Sequence, residues 1–244
     1  MRRAGLLGAL GLTLTVAVPT GHAGPAPAAS TLADVAAAAA PCPTEAGHCF
    51  GLIVHVAPGM DSGLIQGPDW LAAQVATANR LFAPVGVGFT VAEVRGLDAG
   101  DVVITTPADR NRLGRQVSGG VIHVFIVGRL GNIDDAGGEI NGVHWRRRGR
   151  HWIIVAARAW DLTLGHELGH FFGLPHSEVA ASIMNTGPRL LPPPAERVFQ
   201  PDEVERLRAG QKRMLRARAL RDHAVPAGTL PPPKPSRART VRGR

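Results

Sequence analysis

Apolar and polar positions fall into blocks with two different periods along this 244-residue chain. Residues 50–57 (Phe-Gly-Leu-Ile-Val-His-Val-Ala) are almost continuously apolar and are closed by Pro58-Gly59, which predicts a buried strand. From Pro68 the period changes. Trp70, Leu71, Val75, Ala78, Leu81 and Phe82 recur at helical spacing, with Pro68 in the first turn and Pro84 as the stop. A second strand is expected over 85–94, a short helix over 108–117, and another buried strand over 121–127. Residues 128–138, rich in Gly and Asp, read as a loop. Strands over 139–145 and 152–157 flank the turn Arg146-Arg-Arg-Gly-Arg150 as an exposed hairpin. A helix over 161–172 and an irregular stretch marked by Pro175, Pro188 and Pro192 follow. A last helix begins at Pro201 and runs to about Leu220; its acidic start and basic end suit the helix dipole. No internal repeat is evident. This order predicts an α+β fold, a mixed sheet with helices packed against it.

The flanks differ from the body. Met1-Arg2-Arg3, the apolar run 4–18 and the small residues up to Ala23 read as a signal peptide over 1–23, which predicts export to an extracellular or periplasmic compartment. The run is too short for a comfortable membrane span, and no later segment is apolar for long enough to be a transmembrane segment. Residues 24–49 read as a linker or short pro-segment, rich at first in Ala, Pro and Ser, and 50–221 as the folded domain. The two cysteines, Cys42 and Cys49, both lie in the exported part. An oxidising compartment favours their pairing as a disulfide over a thiolate that caps a metal.

The net charge of +8 is not a property of the body. From Arg206 onward there are 12 basic residues against one acid, Asp222, while the preceding 205 residues hold 15 basic and 18 acidic groups. The body is therefore mildly acidic and no specific nucleic-acid binding is expected. The basic Pro- and Arg-rich tail over 222–244 is open to two readings, contact with an anionic surface or plain disorder.

The chemistry is concentrated in His166-Glu-Leu-Gly-His170-Phe-Phe-Gly173-Leu-Pro-His176. His166 and His170 are four apart and share one helical face, so both imidazoles can grip one Zn²⁺. Glu167, beside the first ligand, can reach a metal-bound water. Gly173 is where the helix should stop, because glycine accepts the left-handed backbone that lets the chain swing round. His176 can then return as a third ligand. Three nitrogens leave a fourth position open, the pattern of a catalytic rather than a structural zinc. Zinc would acidify its water and polarise a carbonyl, and Glu167 would act as general base and then general acid. Five defined positions arise by chance in a chain this long with a frequency of about one in ten thousand, so the motif is specific.

The pattern resembles that of the metzincin zinc metallopeptidases. Ser182-Ile-Met184-Asn185 is similar to their Met-turn, which implies that Met184 forms the apolar floor beneath the ligands, with Gly173 as the other structural support. The resemblance implies a twisted mixed sheet, an active-site helix, a Met-turn and a C-terminal helix. It also implies a secreted endopeptidase acting on protein or peptide substrates, held in extended form along an edge strand that includes Gly142, Val143 and His144. The spacing from His176 to Met184 is similar to that of matrixins. Two features depart from relatives. The chain has no tyrosine, which astacin-like and serralysin-like members place after the Met-turn methionine. Arg146-Arg147-Arg148 stand where matrixins carry an acidic calcium-binding run, so one catalytic zinc is expected, without calcium or a second zinc, and His144 reads as a strand histidine.

Other elements keep plainer readings. The arginine turn blunts an edge strand, with preference for acidic substrates or self-cleavage as the functional alternative. His55 and His123 are expected in the core. Two rival functions share the sequence: a zinc hydrolase of cell-wall or other non-protein amides, and a non-enzymatic secreted binding protein, for which Glu167 would have no use.

Overall fold

The computed structural model describes residues 30–37, 41–59, 63–135, 137–187, 192–193 and 196–223. The expected signal peptide, and the tail from residue 224 onward, lie outside the described residues. A five-stranded sheet organises the chain, in the order β2 (Val87–Gly96), β1 (His48–Val56), β4 (Ile122–Val127), β7 (Arg150–Ala156) and β6 (Gly142–Arg147). The first four strands are mutually parallel, and β6 pairs antiparallel with β7 at one edge. The sheet is thus mixed, as expected, and mostly parallel.

Parallel strands need crossovers, and these put helices over the sheet. The helices are α1 (Leu32–Ala37), α2 (Pro68–Phe82), α3 (Pro107–Leu113), α4 (Thr163–Phe172) and α5 (Pro201–Arg216). Both sheet faces are covered, which explains why β1 and β4 are apolar without alternation. Ile122, Val124 and Ile126 of β4 join the larger core with Leu71, Phe82, Leu168 and Met184. Phe125 and Val127 join a second core with Leu113, Leu130 and Trp152.

Several bounds differ from expectation, each for a tertiary reason. The linker region contributes α1, whose Val35 is 1% exposed in the larger core. Cys42 and Cys49 form a disulfide that ties this region to the first residues of β1. A small ribbon of β3 (Val103–Ile104) with β5 (Arg129–Leu130) lies inside stretches read as connections; two-residue strands carry no readable period. The arginine turn is a tight hairpin. Arg147 pairs with Arg150, and Arg148 (φ 49°) and Gly149 (φ 77°) form the two-residue loop with the positive φ values such turns need.

The last helix stops at Arg216, four residues early. Arg218 takes φ 55°, and Ala219 N–H donates to Met214 O at 2.9 Å. The chain then returns to the sheet. Asp222 accepts from the Cys49 N–H at 2.9 Å and lies 2.6 Å from His48 Nδ1, and His223 N–H donates to Cys49 O at 2.7 Å. Residues 222 and 223, assigned to the tail by composition, are docked on β1.

Candidate metal centre

Helix α4 starts beside a buried side chain. Gln74 of α2, 1% exposed, accepts from Leu164 N–H at 3.1 Å and donates to Trp160 O at 2.9 Å. This anchors the first turn of α4 to α2. At the other end Gly173 has φ 107°. Its N–H donates to His170 O at 3.0 Å and Leu174 N–H donates to Gly169 O at 2.9 Å, the paired bonds of a Schellman stop. The chain therefore leaves the helix sharply and brings His176 back towards His166 and His170. The ligand atoms of the three histidines lie within 4.8 Å of one another. Among the described residues this is the group of His, Cys, Asp or Glu able to hold a metal ion.

Two of the three imidazoles are oriented by main-chain carbonyls. His166 Nδ1 donates to Ile183 O at 2.8 Å, and His170 Nδ1 donates to Leu174 O at 2.7 Å. With the proton held on Nδ1, each Nε2 is left with its lone pair, the state a metal ligand requires. The donor set thus suits zinc: three imidazoles, two of them fixed in tautomer by a carbonyl.

Glu167 is 5% exposed, and its Oε2 is buried with no hydrogen-bond partner. Burial pushes its carboxyl up to about 8, opposed by the His144 backbone N–H and the charge of Arg110. A buried carboxyl oxygen without a partner, in a residue that lines the same cleft as His166, His170 and His176, is a costly arrangement, and a metal-bound water would meet that need.

The segment 182–185 lies under the helix. Asn185 N–H donates to Ser182 O at 3.2 Å, closing a tight turn, and Met184 is fully buried. A Cβ placed on Gly169 would stand 2.6 Å from Met184 Sδ, so the thioether packs directly against the helix backbone between His166 and His170. The turn is held from below: Ser182 Oγ donates to Glu203 of α5, at 2.8 and 2.9 Å from its two oxygens, and accepts from Met184 N–H at 2.9 Å.

A cleft of about 1460 Å³ runs between β6 and this turn. Gly142, Val143 and His144 line one side, and His166, Glu167 and His176 lie along it. Among the described residues, strand β6 pairs with β7 on one side only. His144 Nε2 sits 3.2 Å from His151 Nδ1, and both rings pack against Phe171. Burial and the charge of His151 hold His144 down at about 3, so it is a neutral strand histidine. His55 and His123 are fully buried and lie 3.0 Å apart, away from the three histidines of the metal group.

Sequence reasoning passed over several groups that line or support the cleft. Arg110, 2% exposed, donates to Gly131 O at 2.6 Å and stacks 4.9 Å from the Trp145 ring. Arg197 is also 2% exposed, whereas Trp160 is 61% exposed at the cleft. Glu203, read as a dipole charge of the last helix, is the buried acceptor for Ser182. None of these has a spacing signature; each reaches the site only through the fold.

No family model matches the chain, and no curated protein matches it. Among solved structures it is similar to archaemetzincin from Methanopyrus kandleri, with TM-score 0.45 and 20% identity over 70% of this chain and 99% of that one. It is also similar to metalloproteinase-II from Bacteroides fragilis, with TM-score 0.45 and 12% identity over 70% of this chain. The chain spans about half the length of that protein, 55%. At TM-scores below 0.5, function has to be argued from the site itself.

Proposed function

We propose that this chain is a secreted zinc-dependent endopeptidase of the metzincin type, with His166, His170 and His176 as ligands and Glu167 as the general base and acid. The observation that carries the reading is the convergence of three histidine ligand atoms within 4.8 Å, beside a buried Glu167 whose Oε2 has no partner. When bound there, zinc would supply an acidified water and a polarised substrate carbonyl. Glu167 takes the proton from the attacking water at its unpartnered oxygen and passes it to the leaving amine.

The cleft supports a polymeric, extended substrate. Its volume of about 1460 Å³ exceeds the roughly 300–1,000 Å³ of small-molecule pockets. The unpaired edge of β6, including Gly142, Val143 and His144, offers main-chain groups to a peptide laid alongside. Met184 and Gly173 serve as supports, the first as a packed floor and the second as the helix stop. The Cys42–Cys49 disulfide is consistent with an oxidising compartment, and among the described residues no helix is long and apolar enough to cross a membrane.

The test is digestion of a peptide library by zinc-loaded protein, with Glu167→Ala beside it. Cleavage by the native chain, lost in the variant with zinc retained, is the expected result. Cleavage that survives in the variant would sink the mechanism. Absence of zinc after gentle purification would count against the metal centre, and hydrolysis confined to non-protein amides would favour the rival hydrolase.

A further inference from the structure

Arg197 is 2% exposed and lines the same cleft as His166, Glu167 and His176. Its Nε donates to Pro192 O at 3.1 Å, which orients the guanidinium, while its Nη1 is buried with no hydrogen-bond partner. Among the described residues no carboxylate pairs with it. Of the other arginines at the cleft, Arg146 is exposed to solvent and the remaining two have partners. Arg110 has Gly131 O, the Trp145 face and the charges of Asp134 and Glu167; Arg158 lies 3.5 Å from Glu139. Among the described residues, Pro192 O is the one acceptor for the Arg197 guanidinium.

A guanidinium does not deprotonate in a protein, so it cannot relieve its burial by losing charge. A buried cation without a counter-ion is strongly unfavourable, and a bidentate carboxylate is the partner its planar fork best fits. The position is close to the chemistry. Val198, the next residue, accepts from Ile183 N–H at 3.1 Å, and Ile183 O in turn accepts from His166 at 2.8 Å. Arg197 therefore stands on the strand-like segment that flanks the turn beneath the metal centre.

We propose that Arg197 is a substrate-binding residue that receives a carboxylate, so that the cleft selects peptides bearing an Asp or Glu side chain, or a free C-terminus, near the bond to be cut. This rests on the peptidase reading of the site, and the substrate supplies the counter-ion that the fold withholds.

The test uses zinc-loaded Glu167→Ala protein, which holds peptides without cutting them, and labelled alanine-based hexapeptides. One set carries a single Glu moved through the sequence with an amidated C-terminus. A second carries Gln at the same places, and a third is the Gln set with a free C-terminal acid. Binding is read by fluorescence anisotropy. The expected result is binding about tenfold or more tighter for one Glu register, or for the free acid, than for the Gln amide; which of the two wins identifies the carboxylate source. Adding Arg197→Gln should erase that preference while zinc content is unchanged, and Arg197→Lys should keep part of it. Equal binding of all three sets to the Arg197 protein overturns the proposal, whatever the variants do. So does a preference that survives Arg197→Gln, which would belong to the zinc, or an equal loss for Glu and Gln peptides, which would make Arg197 only a wall support. A parallel library digest with native protein separates the two readings. Cleavage without acidic enrichment removes the carboxylate site and leaves the peptidase; acidic preference in binding without any cleavage does the reverse.

Discussion

His166 Nδ1 donates to the main-chain carbonyl of Ile183 at 2.8 Å. That bond joins the first proposed ligand to a turn 17 residues away, and the turn is itself held by Ser182 and Glu203. Ser182→Ala should therefore act on metal affinity without touching a ligand. It removes the acceptor for Met184 N–H and takes one donor from the buried Glu203, which keeps the Gln200 N–H. Loss of an outer-shell partner of this kind weakens metal binding by about 10–100-fold. Competition with a chromophoric chelator measures it, and unchanged zinc affinity would show that the turn does not position His166.

Glu167→Gln keeps the shape and removes the proposed base. Hydrolysis should fall by about 10²–10⁴-fold, with zinc stoichiometry preserved. Paired rate and metal measurements check this. A variant within a few-fold of the native rate would remove Glu167 from the mechanism.

Gly142 stands where the edge strand meets Glu167. A Cβ there would lie 2.7 Å from Thr163 Cγ2 and 2.8 Å from Glu167 Oε1. Gly142→Ala should displace the carboxylate or the strand, and a misplacement near 1 Å costs about 10²-fold in rate. Zinc content should be unchanged, because the atoms nearest to that Cβ belong to Thr163 and Glu167 rather than to the three histidines. Unimpaired turnover would show that the strand and Glu167 move apart without consequence.

The buried pair His55 and His123 makes stability fall in acid. Burial is the main cause holding both at about 4, below the usual 6.5, with the charge of Arg95 adding to it and Glu93 opposing it. Above pH 6.5 both imidazoles are neutral folded or unfolded and no penalty exists. Between pH 6.5 and 4 the unfolded chain binds protons that the folded chain refuses, so stability is progressively lost as pH falls. The loss amounts to about 3 kcal/mol for one such group. Urea midpoints at pH 7 and pH 4.5 should differ less in His55→Phe than in the native chain. An equal acid sensitivity would assign the effect to other groups.

Much of the architecture was legible before folding because it rests on local signals. The apolar runs of β1 and β4, the helical period from Trp70 to Phe82, and Gly173 as a helix stop depend on residues within a few positions of one another. The proposed metal group was legible for the same reason: His166, Glu167, His170, Gly173 and His176 span eleven residues, and helix geometry alone brings the first two histidines onto one face.

The opposite held wherever a contact joined distant parts of the chain. Nothing in the composition around Leu32 or Asp222 reveals that Val35 enters the core or that Asp222 binds the start of β1. The carbonyls that set the tautomers of His166 and His170 have no sequence signature at all, since any residue could supply them. Arg197 and Glu203 have no spacing that marks them, and only the tertiary structure buried both, giving Glu203 the hydroxyl of Ser182 and leaving Arg197 at the cleft with no counter-ion among the described residues. Sequence determined which residues could do chemistry, because residue type and short spacing are local properties. The fold decided which charges lost their water, because desolvation depends on everything packed around a group.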